Sequence, residues 1–202
     1  MKLYFSPGAC SLSPHIALLE AGLPFTTEKV NIRKRLTESG ADFMAINPKG
    51  YVPALELDNG TILTEGVAIT QYIADQAPDK QLTPAHATAE HYQLLEWLNF
   101  IGTEIHKNYS PLFNPASSDD AKAGARAALA KRFALVAQRL EGRDYLIGER
   151  FSVADGYLFT VLNWAAVVQF DLAPYPVLQA FHARIAARPA VQQAMRDEGL
   201  LG

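Results

Sequence analysis

One cysteine, Cys10, stands among 202 residues, and its solitude excludes an internal disulfide framework. A free thiol suits a reducing compartment, so the expected location is cytoplasmic. Excess positive charge is missing too: 18 Lys and Arg face 21 Asp and Glu, for a net charge of −3. Nucleic acid and anionic membranes need clustered basic residues, and neither partner is expected. Long apolar runs are absent, since the longest, LFTVLNWAAVV at 158–168, carries Thr160 and Asn163 and is shorter than the ~20 residues of a spanning helix. The opening MKLYFSPG is stopped by Pro7 and Gly8, so no secretion signal is read there. The five histidines are scattered singly and none has metal-ligand spacing to a Cys or carboxylate, so no metal is expected. Internal repeats and low-complexity stretches are lacking as well. Apolar residues reach 49%, enough for a sizeable core, and the small net charge favours small-molecule or protein partners.

The first 80 residues read as an α/β unit. KLYF at 2–5 is a short apolar strand ended by Ser6-Pro7-Gly8. A helix follows, with Ser11 or Ser13 as its cap, Leu12, Ile16, Leu19 and Leu23 as its apolar stripe and Gly22 as its stop. FTTEKVNI at 25–32 is β-branched and, across a connecting helix, parallel to the first strand. RKRLTESGADF is polar and ambiguous, and NPKG at 47–50 is a turn. VPALEL and TILT flank Asp58-Asn59-Gly60, a strong hairpin signal. Thr64 then caps a helix over EGVAITQYIADQA that places Ile69, Tyr72, Ile73 and Gln76 at helical spacing.

Beyond the connector PDKQLTP, helical patterning dominates from 86 to 202. Residues 86–107 carry Tyr92, Leu95, Leu98, Ile101 and Ile105 on one expected face; residues 119–141 carry Ala125, Leu129, Phe133, Val136 and Leu140 and end at Gly142. Ser152 with Asp155 three residues on forms a capping-box start for a helix to about 168, and two short helices, about 177–187 and 190–197, close the chain. The fold class is therefore α/β followed by all-α. Trp97 and Trp164 sit among apolar residues and read as core.

Candidate chemistry centres on Cys10. A thiol between the carboxyl end of a strand and the amino end of a helix lies where α/β folds bind ligands, and the helix dipole there favours a thiolate. A lone cysteine can equally be a small buried hydrophobe. Cys10-Ser11-Leu12-Ser13 has C-x-x-C spacing with serine at the second thiol position, so redox chemistry would need a mixed disulfide with an external thiol. Pro53 cannot donate a ladder hydrogen bond and must start a strand or lie on an edge. Val52 before it is held extended, free to face a peptide ligand unless the proline only makes a turn. Glu65-Gly66 at a helix start offers N–H groups and an acid to an amino-acid head group, although Glu65 could merely complement the dipole. His106 and Lys107 end a long helix, a common place for cations.

Five blocks resemble the cytosolic glutathione transferases, specifically the bacterial beta class: PGACSL at 7–12, NPKGYVPAL at 47–55, LTEGVAI at 63–69, EWLNFIGTEIHK at 96–107 and FSVADGYLF at 151–159. The resemblance spans the chain in order. It implies a thioredoxin-like N-terminal domain over 1–80, an all-helical domain over 86–202, and a homodimer with a glutathione site at each domain junction. In that pattern Cys10 faces the glutathione sulfur, Pro53 follows a cis peptide bond, and Val52 pairs its backbone with the cysteinyl part. Glu65 and Gly66 hold the γ-glutamyl end, and Arg35 stands near the glycyl carboxylate. His106 and Lys107 match contacts to the thiol region; Asn99 and Glu104 match positions that reach the partner subunit's ligand.

The family's usual tyrosine at position 5 is Phe5 here, preceded by Tyr4. Adjacent strand residues face opposite ways, so Tyr4 cannot supply the missing hydroxyl. Thiolate stabilisation is then expected from Cys10, Ser11, His106 and the helix N-terminus. Gly156, where the family has a bulkier residue, is expected to affect stability. The implied function is conjugation of glutathione, as co-substrate, to a small hydrophobic electrophile. The alternatives are a thiol-disulfide oxidoreductase or reductive dehalogenase working through a Cys10 mixed disulfide, and a non-catalytic ligand carrier.

Overall fold

β1 (Lys2–Phe5) runs through the middle of a five-stranded sheet in the order β3 (Leu36–Thr37), β2 (Thr26–Asn31), β1, β4 (Ala54–Glu56), β5 (Ile62–Thr64), seen in a computed structural model that describes residues 1–201. β2 (Thr26–Asn31) lies parallel to β1 with Leu3 opposite Thr27, as the intervening α1 (Leu12–Ala21) requires. β4 (Ala54–Glu56) pairs antiparallel with β1, and β5 (Ile62–Thr64) with β4. The expected Asp58-Asn59-Gly60 turn joins them, with Gly60 at φ 82° and its N–H donating to Leu57 O at 2.9 Å. The polar stretch from Arg33 to Phe43 holds β3 (Leu36–Thr37), antiparallel to β2, and leads into the short α2 (Phe43–Ile46). Two-residue strands carry too little periodicity to read in advance.

Alternation along β1 sorts the two faces. Phe5 packs with His15 of α1 at 6.0 Å between ring centroids, while Tyr4 joins Val30, Phe43, Val52 and Ala54 on the other face. The Tyr4 hydroxyl donates to Glu56 Oε2 at 2.7 Å, so it is committed away from the Phe5 side. α1 is buried on nearly all sides because α3 (Gly66–Gln76) and α9 (Pro189–Asp197) both flank it. Leu12, Ile16 and Leu18 are enclosed, whereas Leu19 and Leu23 are only half-buried. Gly22 caps the helix at φ 66°. Along α3, Ile69 and Ile73 point inward as expected, but Thr70 and Ala74 take the places beside them and Gln76 is exposed.

The chain from Arg188 onward, read above as part of the helical half, groups with this α/β unit of Met1–Thr83. Glu198 explains the attachment. Its buried carboxylate accepts from Gly8 N at 2.8 Å and lies 3.0 Å from His15 Nδ1.

The second unit, Pro84–Ala187, is helical. The single helix expected over 86–107 is instead α4 (Ala89–Phe100), a π-turn Ile101–Ile105 and a 3₁₀ turn His106–Tyr109, continued by α5 (Ser110–Phe113). Its buried face is His91, Leu94, Leu98, Ile101 and Ile105, and Tyr92 is 63% exposed. The expected set is spaced 3-3-3-4, which drifts around a helix; 3-4-3-4 spacing stays on one side. α6 (Asp119–Leu140) buries the five residues expected of it, and Gly142 follows at φ 67°. α7 (Val153–Val167) is almost wholly enclosed and starts at the expected capping box; α8 (Pro176–Ala186) completes the unit. Trp164 is buried, whereas Trp97 is half-buried and lines a shallow apolar cleft of about 290 Å³ with Phe100 and Leu135. Among the described residues, no helix is long and apolar enough to cross a membrane.

Candidate functional site

In the α/β unit the candidate residues gather where β1 ends. Cys10 is half-buried in the turn before α1, and its thiol donates to Val52 O at 3.2 Å. The Val52–Pro53 peptide is cis. Pro53 packs toward Gly66, where an added Cβ would lie 3.8 Å from its ring. Glu65, next to that glycine, stands at φ 68°, ψ 112°, outside the comfortable range for a glutamate and costing about 1–3 kcal/mol. Its side chain does not cap α3. It turns outward instead, where Glu65 Oε1 accepts from Lys49 Nζ at 2.6 Å and from Tyr51 Oη at 2.8 Å. Thr64, expected as the cap of α3, ends β5 and accepts from Lys49 Nζ at 2.8 Å.

The sequence assigns no individual role to Lys49 or Tyr51, which it shows only as part of the NPKG turn and the NPKGYVPAL block. Buried Asn47 was the available signal: its side-chain amide donates to Tyr51 O at 2.7 Å and its Oδ1 accepts from Lys49 N at 3.1 Å. One residue thus shapes the turn that aims both side chains. Gly50 in that turn has φ +73°, a conformation that strains any side chain, and a Cβ there would also make Met44 Sδ, 2.8 Å away, shift, so glycine is favoured. The exposed Arg35 lies beside it, with Nε 4.0 Å from the same Cβ position.

Two expectations for the turn before α1 are corrected. Burial, with smaller contributions from the Glu65 and Glu198 carboxylates, pushes the Cys10 thiol up to about 11, outweighing the local N–H groups that favour a thiolate. Alkylation of Cys10 by iodoacetamide should therefore be slow at pH 7, where about one thiol in 10⁴ is ionised, and rise about tenfold per pH unit to pH 10. A plateau near pH 8, followed by intact mass, would contradict this. Ser11, expected as a donor to a thiolate, is fully buried and turned away: Ser6 N donates to its Oγ at 3.1 Å, and that Oγ donates to Ser6 O at 3.2 Å. Ser11→Ala should cost about 1–2 kcal/mol in chemical denaturation while leaving the kcat of the folded protein within about twofold.

In the helical unit, His106 follows the π-turn. Its Nδ1 lies 2.7 Å from Tyr157 Oη, and its ring meets Trp164 edge-on at 4.7 Å. Burial first, and Lys107 second, lower its pKa to about 4. His106 is thus neutral at pH 7. An unfolded chain takes up that proton near pH 6.5, so stability is lost as the pH falls from there toward 4. Trp164 also touches Tyr109 at 5.4 Å and Phe113 at 5.5 Å, building an aromatic wall whose outer edge, Phe113, is exposed. Lys107 is exposed. Asn99 Nδ2 donates to Leu95 O within its own helix, and Glu104 Oε2 accepts from both Arg132 Nε and Nη2, at 3.1 and 2.6 Å. Among the described residues no group of three or more His, Cys, Asp or Glu is placed to hold a metal ion.

Residues 8–76 match the family model for the glutathione S-transferase N-terminal domain, and residues 100–189 match that for the C-terminal domain. Glutathione S-transferase GstA of Escherichia coli O157:H7 is 48% identical over 200 residues, covering 99% of this chain and all of the relative. A sphingomonad glutathione S-transferase complexed with glutathione is 51% identical with a TM-score of 0.96, each chain covered in full. The bacterial beta class glutathione S-transferase of Sphingomonas chungbukensis is 49% identical, also with a TM-score of 0.96 and full coverage of both chains.

Proposed function

This chain belongs to the glutathione S-transferase family, bacterial beta class, and from that premise we propose that it binds glutathione and transfers the tripeptide's sulfur to small hydrophobic electrophiles. The observation that carries the reading is the cluster at the end of β1, where Cys10, the cis Val52–Pro53 peptide, Gly66 and the outward Glu65 carboxylate adjoin. Val52 offers backbone groups to the cysteinyl part, Glu65 and the α3 N-terminus take the γ-glutamyl ammonium and carboxylate, and Arg35 neutralises the glycyl end. His106, neutral at pH 7, and Lys107 are assigned to the thiol region on the family's pattern alone. The aromatic wall of Tyr109, Phe113 and Trp164 receives the electrophile. The chain acts in the cytoplasm as a homodimer, in which Asn99 and Glu104 help to complete the partner's ligand site.

Glutathione brings its own nucleophile. Proximity and thiolate stabilisation then supply most of the rate: the sulfur attacks the electrophilic carbon, a halide or similar group departs, and the thiol proton passes to solvent. Cys10 need not attack anything, and its high pKa argues against a mixed-disulfide mechanism at neutral pH.

Steady-state conjugation to a chlorodinitrobenzene tests the reading, with the wild type compared with Cys10→Ala under reducing conditions. Turnover by both supports transfer. Tight glutathione binding with no turnover by either would favour the carrier, and loss of activity in Cys10→Ala together with a glutathione adduct on wild-type Cys10 would favour the oxidoreductase.

A further inference from the structure

We propose that Tyr157 is a positioning residue: its hydroxyl donates to His106 Nδ1 and holds the imidazole as the Nε2–H tautomer, so that a proton donor faces away from Tyr157. The inference rests on the glutathione reading only for what Nε2–H would meet.

The contact is short, 2.7 Å between His106 Nδ1 and Tyr157 Oη, and Tyr157 is only 8% exposed. Water therefore competes poorly for it. Its direction follows from acid and base strength. A phenol is a far stronger acid than a neutral imidazole N–H, and an imidazole nitrogen accepts better than a phenol oxygen, so the pairing O–H to Nδ1 wins. That pairing needs a neutral ring, which burial provides. With Nδ1 accepting, the ring's one proton sits on Nε2.

Three features hold the ring still. Trp164 packs against it edge-on at 4.7 Å, and the 3₁₀ turn follows directly on the π-turn Ile101–Ile105, a device often found at functional sites. Gly102 in that π-turn faces Tyr157, and a Cβ there would lie 3.5 Å from its hydroxyl. The charges nearby do not compete for Nδ1: Lys107 is exposed, and Glu104 in the π-turn is bound by Arg132. Tyr109 shares the Trp164 ring but is a neutral phenol that burial keeps protonated.

The test is nitrogen-15 NMR of the histidine-labelled full chain at pH 7, with His106→Gln used to assign the signals. The wild type should show His106 with Nε2 protonated and Nδ1 bare. Tyr157→Phe, which keeps the ring and removes the hydroxyl, should give a mixture of tautomers with an unchanged circular dichroism spectrum. An Nδ1–H tautomer in the wild type, or an unaltered pattern in Tyr157→Phe, would overturn the proposal.

Kinetics separate this from the function it serves. If Nε2–H meets the thiolate, Tyr157→Phe lowers kcat about tenfold and raises the pKa of the bound glutathione thiol, with KM for glutathione within about twofold. A tautomer shift with kcat unchanged in both Tyr157→Phe and His106→Gln would leave the tautomer assignment standing and remove His106 from the proposed thiol site.

Discussion

Asp155→Ala should lower the free energy of unfolding by about 4 kcal/mol. The carboxylate is fully buried at the start of α7. It accepts from Leu146 N, Ser152 N and Ser152 Oγ, each at 2.8 Å. Truncation leaves these donors enclosed without that acceptor, at about 1–3 kcal/mol for each one left unpaired, with partial relief from local relaxation. It also frees the loop before α7 from the helix that forms the middle of the second unit. Asp155→Asn keeps the shape and one acceptor oxygen, so it should cost roughly half as much. Urea denaturation of both variants checks the pair, and a loss under about 1 kcal/mol in the alanine variant would mean that packing alone holds this helix start.

Glu65→Ala should weaken glutathione binding about 100-fold. Its carboxylate is the exposed acid beside Gly66 at the N-terminus of α3, and a hydrogen bond between charged groups is worth about 1.5–3 kcal/mol. Lys49 and Tyr51 both donate to Oε1, which holds the side chain in one orientation before ligand arrives. Their hydrogen bonds to Glu65 raise the pKa of Lys49 and of Tyr51, so both groups stay protonated as donors at neutral pH. Glu65→Gly separates binding from strain. Glycine accepts φ 68° at no steric cost, so that variant should be about 1 kcal/mol more stable than Glu65→Ala yet bind glutathione no better. Titration calorimetry with glutathione reads the affinity and thermal melting the stability. Wild-type affinity in either variant would remove Glu65 from the proposed site.

Asp155 and Glu65 are legible in the amino-acid sequence to different degrees. Ser152 and Asp155 form a local device, and a capping box needs only residues three apart, so the sequence pattern and the hydrogen bonds agree. Glu65 is visible as an acid beside a glycine at a helix start. Hidden from the sequence are its backbone conformation and the two donors contributed by a turn about fifteen residues earlier. Ser11 shows the opposite failure: a hydroxyl adjacent to the thiol looks available, but β1 and the following turn bring Ser6 back to claim it.

Local and periodic features were settled by the amino-acid sequence itself: the strand, helix, strand start, the Asp58-Asn59-Gly60 hairpin, the buried stripe of α6 and the cap of α7. Each depends on residues within a few positions of one another, where backbone geometry leaves few choices. Family membership was legible too, because it rests on the order of short blocks. Tertiary structure alone decided the return of the chain from Arg188 to the α/β unit, the π-turn before His106, the pairing of His106 with Tyr157 and the high pKa of Cys10. Each of these depends on groups brought together from distant parts of the chain, or on burial that only the finished packing defines. A thiol's neighbours in sequence favour its anion; its neighbours in space withhold the water that the anion needs.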